Sequence, residues 1–347
     1  MNMKDLSGAF PEEIAGEMAA LSEKPFRAGQ IFAWLQKGVP FDGMTDLSNA
    51  LREKLKANYL DQSVKILEKR TSRVDDTVKV LYSLQDGNCV EGVIMRYHYG
   101  YTLCISTQVG CAMGCRFCAS TLEGCVRNLT AAEMIGQIHC ANALLSEKEA
   151  RIGHVVLMGS GEPLANMREV VRFLRLVSHP QGLNISIRHI SLSTCGLVPQ
   201  MYEFADMHLP VTLSLSLHAP NDRIRKQLMP VADRYTIRET LDACQYYLRQ
   251  TGRRFIVEYA LIDGVNADSA CAVELSGLLR GMQCHVNLIP LNQVPERHLF
   301  GVSEPQVQSF MNILEKNHIS ATRRREMGDD IQGACGQLRK HHLEVKE

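Results

Sequence analysis

Cys111-Ala-Met-Gly-Cys115-Arg-Phe-Cys118 places three cysteines at C-x3-C-x2-C, with no fourth cysteine in register. Three thiolates can hold three irons of a cubane 4Fe-4S cluster and leave the fourth iron open to a ligand. Zinc is the competing occupant, because Cys104 or Cys125 could add a fourth thiolate. Zinc sites, however, usually pair their ligands as C-x2-4-C with a second pair farther along. Three unrelated buried cysteines are the bland alternative.

On either side of this loop the chain changes character. From Val78 to Ile105 it reads as short strands around turns, with Gln85-Asp-Gly-Asn88 a hairpin tip. Apolar strand candidates then recur at 102–106, 154–158, 187–193, 211–217, 254–262 and 285–291, mostly separated by stretches long enough for a helix. The first such helix is marked by a capping box, Thr130 with Glu133, and by Met134, Ile138, Ala141 and Leu145 on one face. This alternation predicts an α/β fold of parallel β/α units, and six units fit a partial barrel open on one side. Residues 1 to about 75 read as helical, with Ile31, Trp34 and Leu35 on one face and Leu47, Leu51 and Leu55 at helical spacing. The expected organisation is a helical accessory domain at 1–75, a β-hairpin extension at 76–100, the partial (β/α)6 barrel at 101–300 and a C-terminal segment at 301–347.

The 347 residues are 45% hydrophobic and 22% charged, which is ordinary for a globular chain. The first twenty residues carry Lys4, Glu12, Glu13 and Glu17 and do not read as a signal peptide, and no apolar run approaches membrane-spanning length. Twelve cysteines without an export signal predict a reducing cytoplasmic setting in which thiols act as ligands or reagents. Net charge is zero, so contact with nucleic acid would rest on local patches such as Arg323-Arg324-Arg325 or Arg223, Arg225 and Lys226. A solvated surface is the ordinary alternative for both.

Barrel enzymes keep their chemistry at the C-terminal ends of the strands, and the polar motifs fall there. Met158-Gly-Ser-Gly161-Glu162-Pro163 follows the second strand; its glycines allow close approach of backbone to a ligand, and Glu162 could accept a charge-assisted bond from an ammonium group. Ser193 ends the third strand, Ser216-Leu217-His218 ends the fourth, and Asn292 follows the sixth. Near the C-terminus, Cys335 stands in Gly333-Ala-Cys335-Gly336, which reads as a flexible, exposed loop where a thiol near arginines could be reactive. Cys104, on a strand before the cluster loop, reads as a buried structural cysteine.

The C-x3-C-x2-C spacing is that of the radical S-adenosylmethionine superfamily, and Phe117 resembles the aromatic that the superfamily packs near the bound nucleoside. Longer motifs narrow this further. Glu91-Gly-Val-Ile-Met, Cys104-Ile-Ser-Thr-Gln-Val-Gly-Cys111, Gly161-Glu162-Pro163, Ser216-Leu217-His218, His285-Val-Asn-Leu-Ile-Pro290 and Gly328-Asp-Asp-Ile-Gln-Gly-Ala-Cys335-Gly-Gln-Leu338 closely resemble, in order and nearly end to end, the RlmN family of adenine-C2 RNA methyltransferases. Ser160, Cys195 and Gly333 are small departures. The related Cfr enzymes act at C8, but the stretches from His285 to Glu296 and from Thr322 to Asp330 are similar to the C2-directed branch.

The resemblance implies a 4Fe-4S cluster on Cys111, Cys115 and Cys118 and two S-adenosylmethionines per turnover. It implies cofactor contacts at Gly161, Glu162, Ser193, Ser216, Leu217, His218 and Asn292. One S-adenosylmethionine methylates Cys335. The other yields a 5'-deoxyadenosyl radical that takes hydrogen from that S-methyl group, and the carbon radical adds to C2 of adenine. Glu91 then accepts the C2 proton, and Cys104 resolves the adduct as a Cys104–Cys335 disulfide. The implied partners are 23S ribosomal RNA, transfer RNA and an electron donor of flavodoxin or ferredoxin type. Two rivals stay open at this point: a zinc-stabilised RNA-binding module without catalysis, and a radical enzyme acting on a small molecule.

Overall fold

The computed structural model describes residues 3–145, 150–338 and 341–342. Its first helices are α1 (Pro11–Ala20), α2 (Arg27–Gln36) and α3 (Asn49–Asn58). Ile31 and Leu35 of α2 are buried, while Trp34 is half-buried and its indole N–H donates to Asp46 at 2.6 Å. Ser48 caps α3 by accepting from the Leu51 N–H, which orients Leu51 and Leu55 into the core. A short parallel pair, β1 (Lys4–Asp5) with β2 (Tyr59–Leu60), ties the two ends of this region together.

The helical reading to about residue 75 stops at Asn58, because Val64–Thr71 is a strand, β3. Only Val64 of it is buried, so it lacks the alternation by which a half-buried strand is recognised. β3 pairs antiparallel with β4 (Val78–Leu84), and β4 with β5 (Asn88–Tyr97). The turn between β4 and β5 is at the expected tip, where Gly87 has φ +82°. β5 in turn pairs antiparallel with β6 (Gly100–Cys104), and the cluster loop follows the short strand β7 (Gln108–Gly110), which pairs with β8 (Cys125–Asn128).

From β6 onward the sheet is parallel. β6, β9 (Ile152–Leu157), β10 (Ile190–Thr194), β11 (Thr212–Ser216), β12 (Phe255–Leu261) and β13 (Cys284–Pro290) lie side by side in chain order. Crossovers run through α4 (Ala131–Leu144), α5 (Met167–Val177), α6 (Val198–Asp206), then the short α7 (Asp222–Leu228) with α8 (Ile237–Thr251), and α9 (Ser269–Leu279). After α10 (Glu304–Lys316) a short seventh parallel strand, β14 (Ala321–Arg323), extends the row beside β13. The expected six β/α units are therefore present, with one strand more at the open edge. Residues 187–189 form a helical turn instead of the start of the third strand. Far along the chain, β15 (His341–His342) pairs antiparallel with the start of β5.

Side chains alternate across these strands. Leu192, Leu213, Leu215 and Val257 face the helices and are buried with the apolar stripe of α5, whose Val170, Phe173, Leu174 and Val177 pack in the core. The opposite face carries Ser191, Ser193, Ser214, Ser216, Glu258 and Asn287, so the barrel interior is polar. α4 has the expected capping box between Thr130 and Glu133 and is buried on nearly all sides. The accessory region covers it: a Cβ on Gly136 would stand 2.7 Å from Val64, and His139 Nε2 lies 3.1 Å from the Gln36 carbonyl oxygen. No helix among the described residues is long and apolar enough to cross a membrane.

Candidate active site at the strand ends

Two adjoining cavities open at the C-terminal ends of the parallel strands. The larger, about 160 Å³, is lined by the three loop thiols Cys111, Cys115 and Cys118 together with Gly161, Glu162, Ser193, Ser216, His218 and Asn292. The loop is held by backbone geometry. Gly110 has φ +76°, and a Cβ there would stand 2.0 Å from the Gly124 carbonyl oxygen, so only glycine fits. The Cys111 N–H donates to that same carbonyl at 3.0 Å, the Arg116 N–H to Leu228, and Thr121 Oγ1 to the Cys115 and Cys118 carbonyls at 3.0 Å each.

Burial pushes the Cys111 thiol up to about 12, and it raises Cys115 and Cys118 as well. After burial, the largest influences on Cys115 are Cys118 and Cys111, so ionising one sulfur opposes ionising the next. Converging thiols of this kind fit a polycationic centre, which relieves that repulsion when it binds. Neither Cys104 nor Cys125 lines this cavity.

Glu162 is buried. Its Oε1 accepts from Leu164 N–H at 3.0 Å and its Oε2 from Cys195 N–H at 2.8 Å. Burial raises its pKa against these bonds and against the side chains of Cys195 and Thr194. Gly161, at φ +113°, lies where any Cβ would strike Gln108 at 2.7 Å. Ser193 Oγ and Ser216 Oγ are 3.3 Å apart on the same wall.

His218 has φ +54° and accepts on Nδ1 from the Ala260 N–H at 2.9 Å, and its ring meets Phe117 edge-on at 4.7 Å. Burial first, then Arg225, pushes its pKa down to about 3, so the ring is neutral. Leu217 is buried in the apolar core and does not reach the cavity wall.

The smaller cavity, about 40 Å³, contains Cys104 and Cys335 on one wall system with Val93, Met95, Met327 and Leu338. Cys335, Asn292, Met158, Ile289 and Arg324 line both cavities, so Cys335 stands at their junction. Its loop is not an open surface loop. Asn292 Nδ2 donates to the Cys335 carbonyl at 3.0 Å, Ala119 N–H to Gly336 O at 2.7 Å, Ser120 Oγ to Leu338 O at 2.7 Å and Lys79 Nζ to Gln332 O at 3.0 Å. Cys335 is consequently half-buried and pinned to the cluster loop. Cys104 is buried, and its thiol is pushed up to about 12 by burial and then by Cys335, with Arg324 opposing. Glu91 lies on β5 two residues from Val93, buried and ion-paired to Lys79 at 2.8 Å, but it is not on either cavity wall.

Several residues here were not singled out as site groups in the sequence. Arg324, grouped with Arg323 and Arg325 as a surface patch, turns inward and lines both cavities. It contacts Met158 Sδ at 3.6 Å and stands 3.7 Å from Glu258 Oε2. Cys335 is the main influence holding Arg324 charged, followed among the groups near it by Glu258 and Cys104. Glu258 is buried and raised by burial, with Arg324 the main counterweight. Its Oε1 accepts from Asn287 Nδ2 at 3.2 Å, Asn287 Oδ1 accepts from Thr322 Oγ1 at 3.2 Å, and Thr322 lies 2.8 Å from His285 Nε2.

Cys195 also lines the larger cavity. Arg225, grouped with Arg223 and Lys226 as a nucleic-acid patch, is fully buried behind the site and donates to Cys195 O at 2.7 Å and Leu217 O at 3.3 Å.

Residues 105–273 match the family model described as the radical SAM superfamily, and residues 2–60 match the ribosomal RNA large subunit methyltransferase N-terminal domain. Over 348 aligned residues the chain is 52% identical to a probable dual-specificity RNA methyltransferase RlmN of Alkaliphilus oremlandii, covering 99% of this chain and 100% of that one. The chain belongs to the RlmN family. A second RlmN relative, from Alkaliphilus metalliredigens, is 50% identical across 100% of this chain and 98% of its own length. The fold is that of a solved radical SAM methyltransferase from Sphaerobacter thermophilus, with a TM-score of 0.93 at 41% identity over 96% of this chain and 99% of that one. As a radical SAM enzyme, this RlmN family member uses a 4Fe-4S cluster and S-adenosylmethionine.

Proposed function

We propose that the chain is a radical S-adenosylmethionine RNA methyltransferase that methylates C2 of adenine in 23S ribosomal RNA and in transfer RNA. The observation that carries this reading is the shared cavity of Cys104 and Cys335, joined through Cys335 to the cavity of the three cluster thiols. C2 of adenine lies between two ring nitrogens and is not a nucleophile, so a methyl group cannot reach it by simple displacement. When bound, the cluster and S-adenosylmethionine supply a methyl electrophile and, after one-electron cleavage, a hydrogen-abstracting radical.

Cys111, Cys115 and Cys118 would hold the cluster, with an electron donor of flavodoxin or ferredoxin type as the partner that would reduce it. Glu162 accepts the ammonium group of S-adenosylmethionine. Gly161, Ser193, Ser216, His218 and Asn292 orient the rest of the cofactor, and Leu217 contributes only through backbone.

Cys335 would supply the sulfur that takes up the methyl group, its S–C bond forming as the methyl–sulfonium bond breaks. Arg324 lines both cavities beside the two reactive thiols and opposes the burial that keeps Cys104 protonated. Once the adduct with RNA has formed, Glu91 takes the C2 proton, which requires its ion pair with Lys79 to loosen. Cys104 then attacks the Cys335 sulfur. The new S–S bond forms as the bond from the Cys335 sulfur to the methylene carbon breaks; that carbon takes a proton to become the methyl group, the adduct's unpaired electron returns to the electron-transfer partner, and an external thiol reduces the disulfide.

Nucleoside mass spectrometry of RNA from cells lacking and then regaining the protein tests the substrate. Restored 2-methyladenosine is expected. Restored 8-methyladenosine alone would place the activity in the Cfr branch instead.

A further inference from the structure

Tyr97 forms part of the wall of the Cys104–Cys335 cavity, and a run of rings leads away from it. Tyr97 stacks on Tyr99 at 5.0 Å with the planes 5° apart. Tyr99 meets His154 edge-on at 4.8 Å, and His154 stacks on His189 at 4.3 Å and 23°. His98 meets Tyr99 edge-on at 5.0 Å. Three separate places in the chain supply these rings: the turn between β5 and β6, the start of β9 and the residue before β10.

Ring clusters are usually core, but this one is not. Tyr99 is 52% exposed, and His98 and His189 are exposed as well. His154 Nδ1 is buried with no hydrogen-bond partner among the described residues, leaving a polar atom ready for a ligand. Arginines flank the run: exposed Arg151 lies three residues before His154, Arg188 directly precedes His189, and exposed Arg325 shares the cavity wall with Tyr97, beside Glu326. None of these rings has a part in holding the cluster or the cofactor.

We propose that the run from Tyr97 to His189 is an RNA-binding surface, on which the unpaired bases flanking the target nucleotide stack while the target passes Tyr97 into the thiol cavity. Exposed flat rings with arginines beside them suit bases and phosphates, whereas a protein-docking surface would centre on a well-packed apolar patch. A paired duplex keeps its bases stacked on each other, so the surface selects loops. The inference rests on the RNA methyltransferase reading and adds the place where RNA is held.

The test measures the affinity of the cluster-loaded full chain for an RNA hairpin with an adenine-containing loop, by fluorescence anisotropy, beside a fully paired RNA of equal length. Tyr99→Ala combined with His189→Ala is expected to weaken hairpin binding about tenfold or more, from the usual worth of base–ring stacking, and Tyr99→Phe to stay within about twofold of the natural chain. The paired RNA is expected to bind the natural and alanine chains alike. Hairpin affinity unchanged by the alanine pair, or Tyr99→Phe as weak as alanine, would overturn the proposal. The mass of the Cys335 peptide in the natural chain is read in parallel: a missing methyl there sinks the thiol reading, while an intact methyl with indifferent rings sinks only this surface.

Discussion

The two cavities hold thiols under opposite conditions. Around Cys111 and Cys115 the largest charged neighbours are other thiols of the loop, Cys118 faces Cys335 and Arg297, and the loop is locked by glycine conformations and backbone bonds. Around Cys104 and Cys335 a guanidinium, Arg324, faces both sulfurs, and the wall is soft apolar packing from Val93, Met95, Met327 and Leu338. A ligand set needs fixed geometry and leaves charge compensation to the metal. A reacting pair needs charge compensation from the protein and room to move.

If that contrast is correct, mutating the two cavities gives different failures, and the largest effects separate them. Cys115→Ala should lose iron and all S-adenosylmethionine cleavage, measured by iron content and the brown absorbance of anaerobically reconstituted protein. Stoichiometric zinc without iron in the natural chain would break the comparison at its root. Cys335→Ala should keep the cluster but form no product. Cys104→Ala should keep the cluster and copurify with RNA held covalently through the carbon on Cys335, which it cannot release. Equal behaviour of the two variants would show that the pair is not divided into carrier and resolver.

Rigidity of the cluster loop is tested by Gly110→Ala. The clash with Gly124 and the left-handed backbone are expected to cost at least ~2 kcal/mol of stability, with weakened iron binding. A melting temperature unchanged by this variant would mean that the loop is looser than its geometry shows. Arg324→Gln is expected to slow methylation of Cys335 about tenfold, the usual worth of one charge-assisted interaction, and Arg324→Lys by less. A time course of the Cys335 peptide mass reads this. No slowing in Arg324→Gln would remove the charge contrast between the cavities.

The smallest expected effect is a pH slope. His218 on the cluster cavity and His139 beneath the accessory helices are held neutral, with pKa values pushed down to about 3 and about 4 by burial. The unfolded chain binds these protons below about 6.5 while the folded chain does not, so stability is full above that pH and falls as pH drops. Each histidine should remove about 1 kcal/mol by pH 5.5. Urea unfolding across pH 5.5–7.5 measures it, and His139→Gln should flatten the slope.

Legibility in the sequence followed how local each feature is. The cluster loop, the capping box of α4 and the Gly161-Glu162 turn lie within a few consecutive residues, so spacing alone exposed them. Strand ends predicted the common wall of Ser193, Ser216, His218 and Asn292, because parallel β/α units bring those ends together. β3 stayed hidden because an edge strand with one buried residue has no period to read. Arg324 and Arg225 were misplaced as surface charges because neighbouring arginines in the chain suggest a solvated run, whereas β14 and α7 turn these two inward. Glu258 and the ring run assemble from residues scattered over the chain, and no local pattern marks them.

The central claim is that Cys335, at the junction of the two cavities, carries the methyl group. Mass spectrometry of the Cys335 peptide from anaerobically purified protein tests it most directly. The account predicts a single added methyl on Cys335 in the natural chain, a nucleotide linked to Cys335 through a methylene carbon in Cys104→Ala, and an unmodified Cys335 in Cys115→Ala. A methyl on Cys104, or an unmodified Cys335 in protein that still forms 2-methyladenosine, would contradict it.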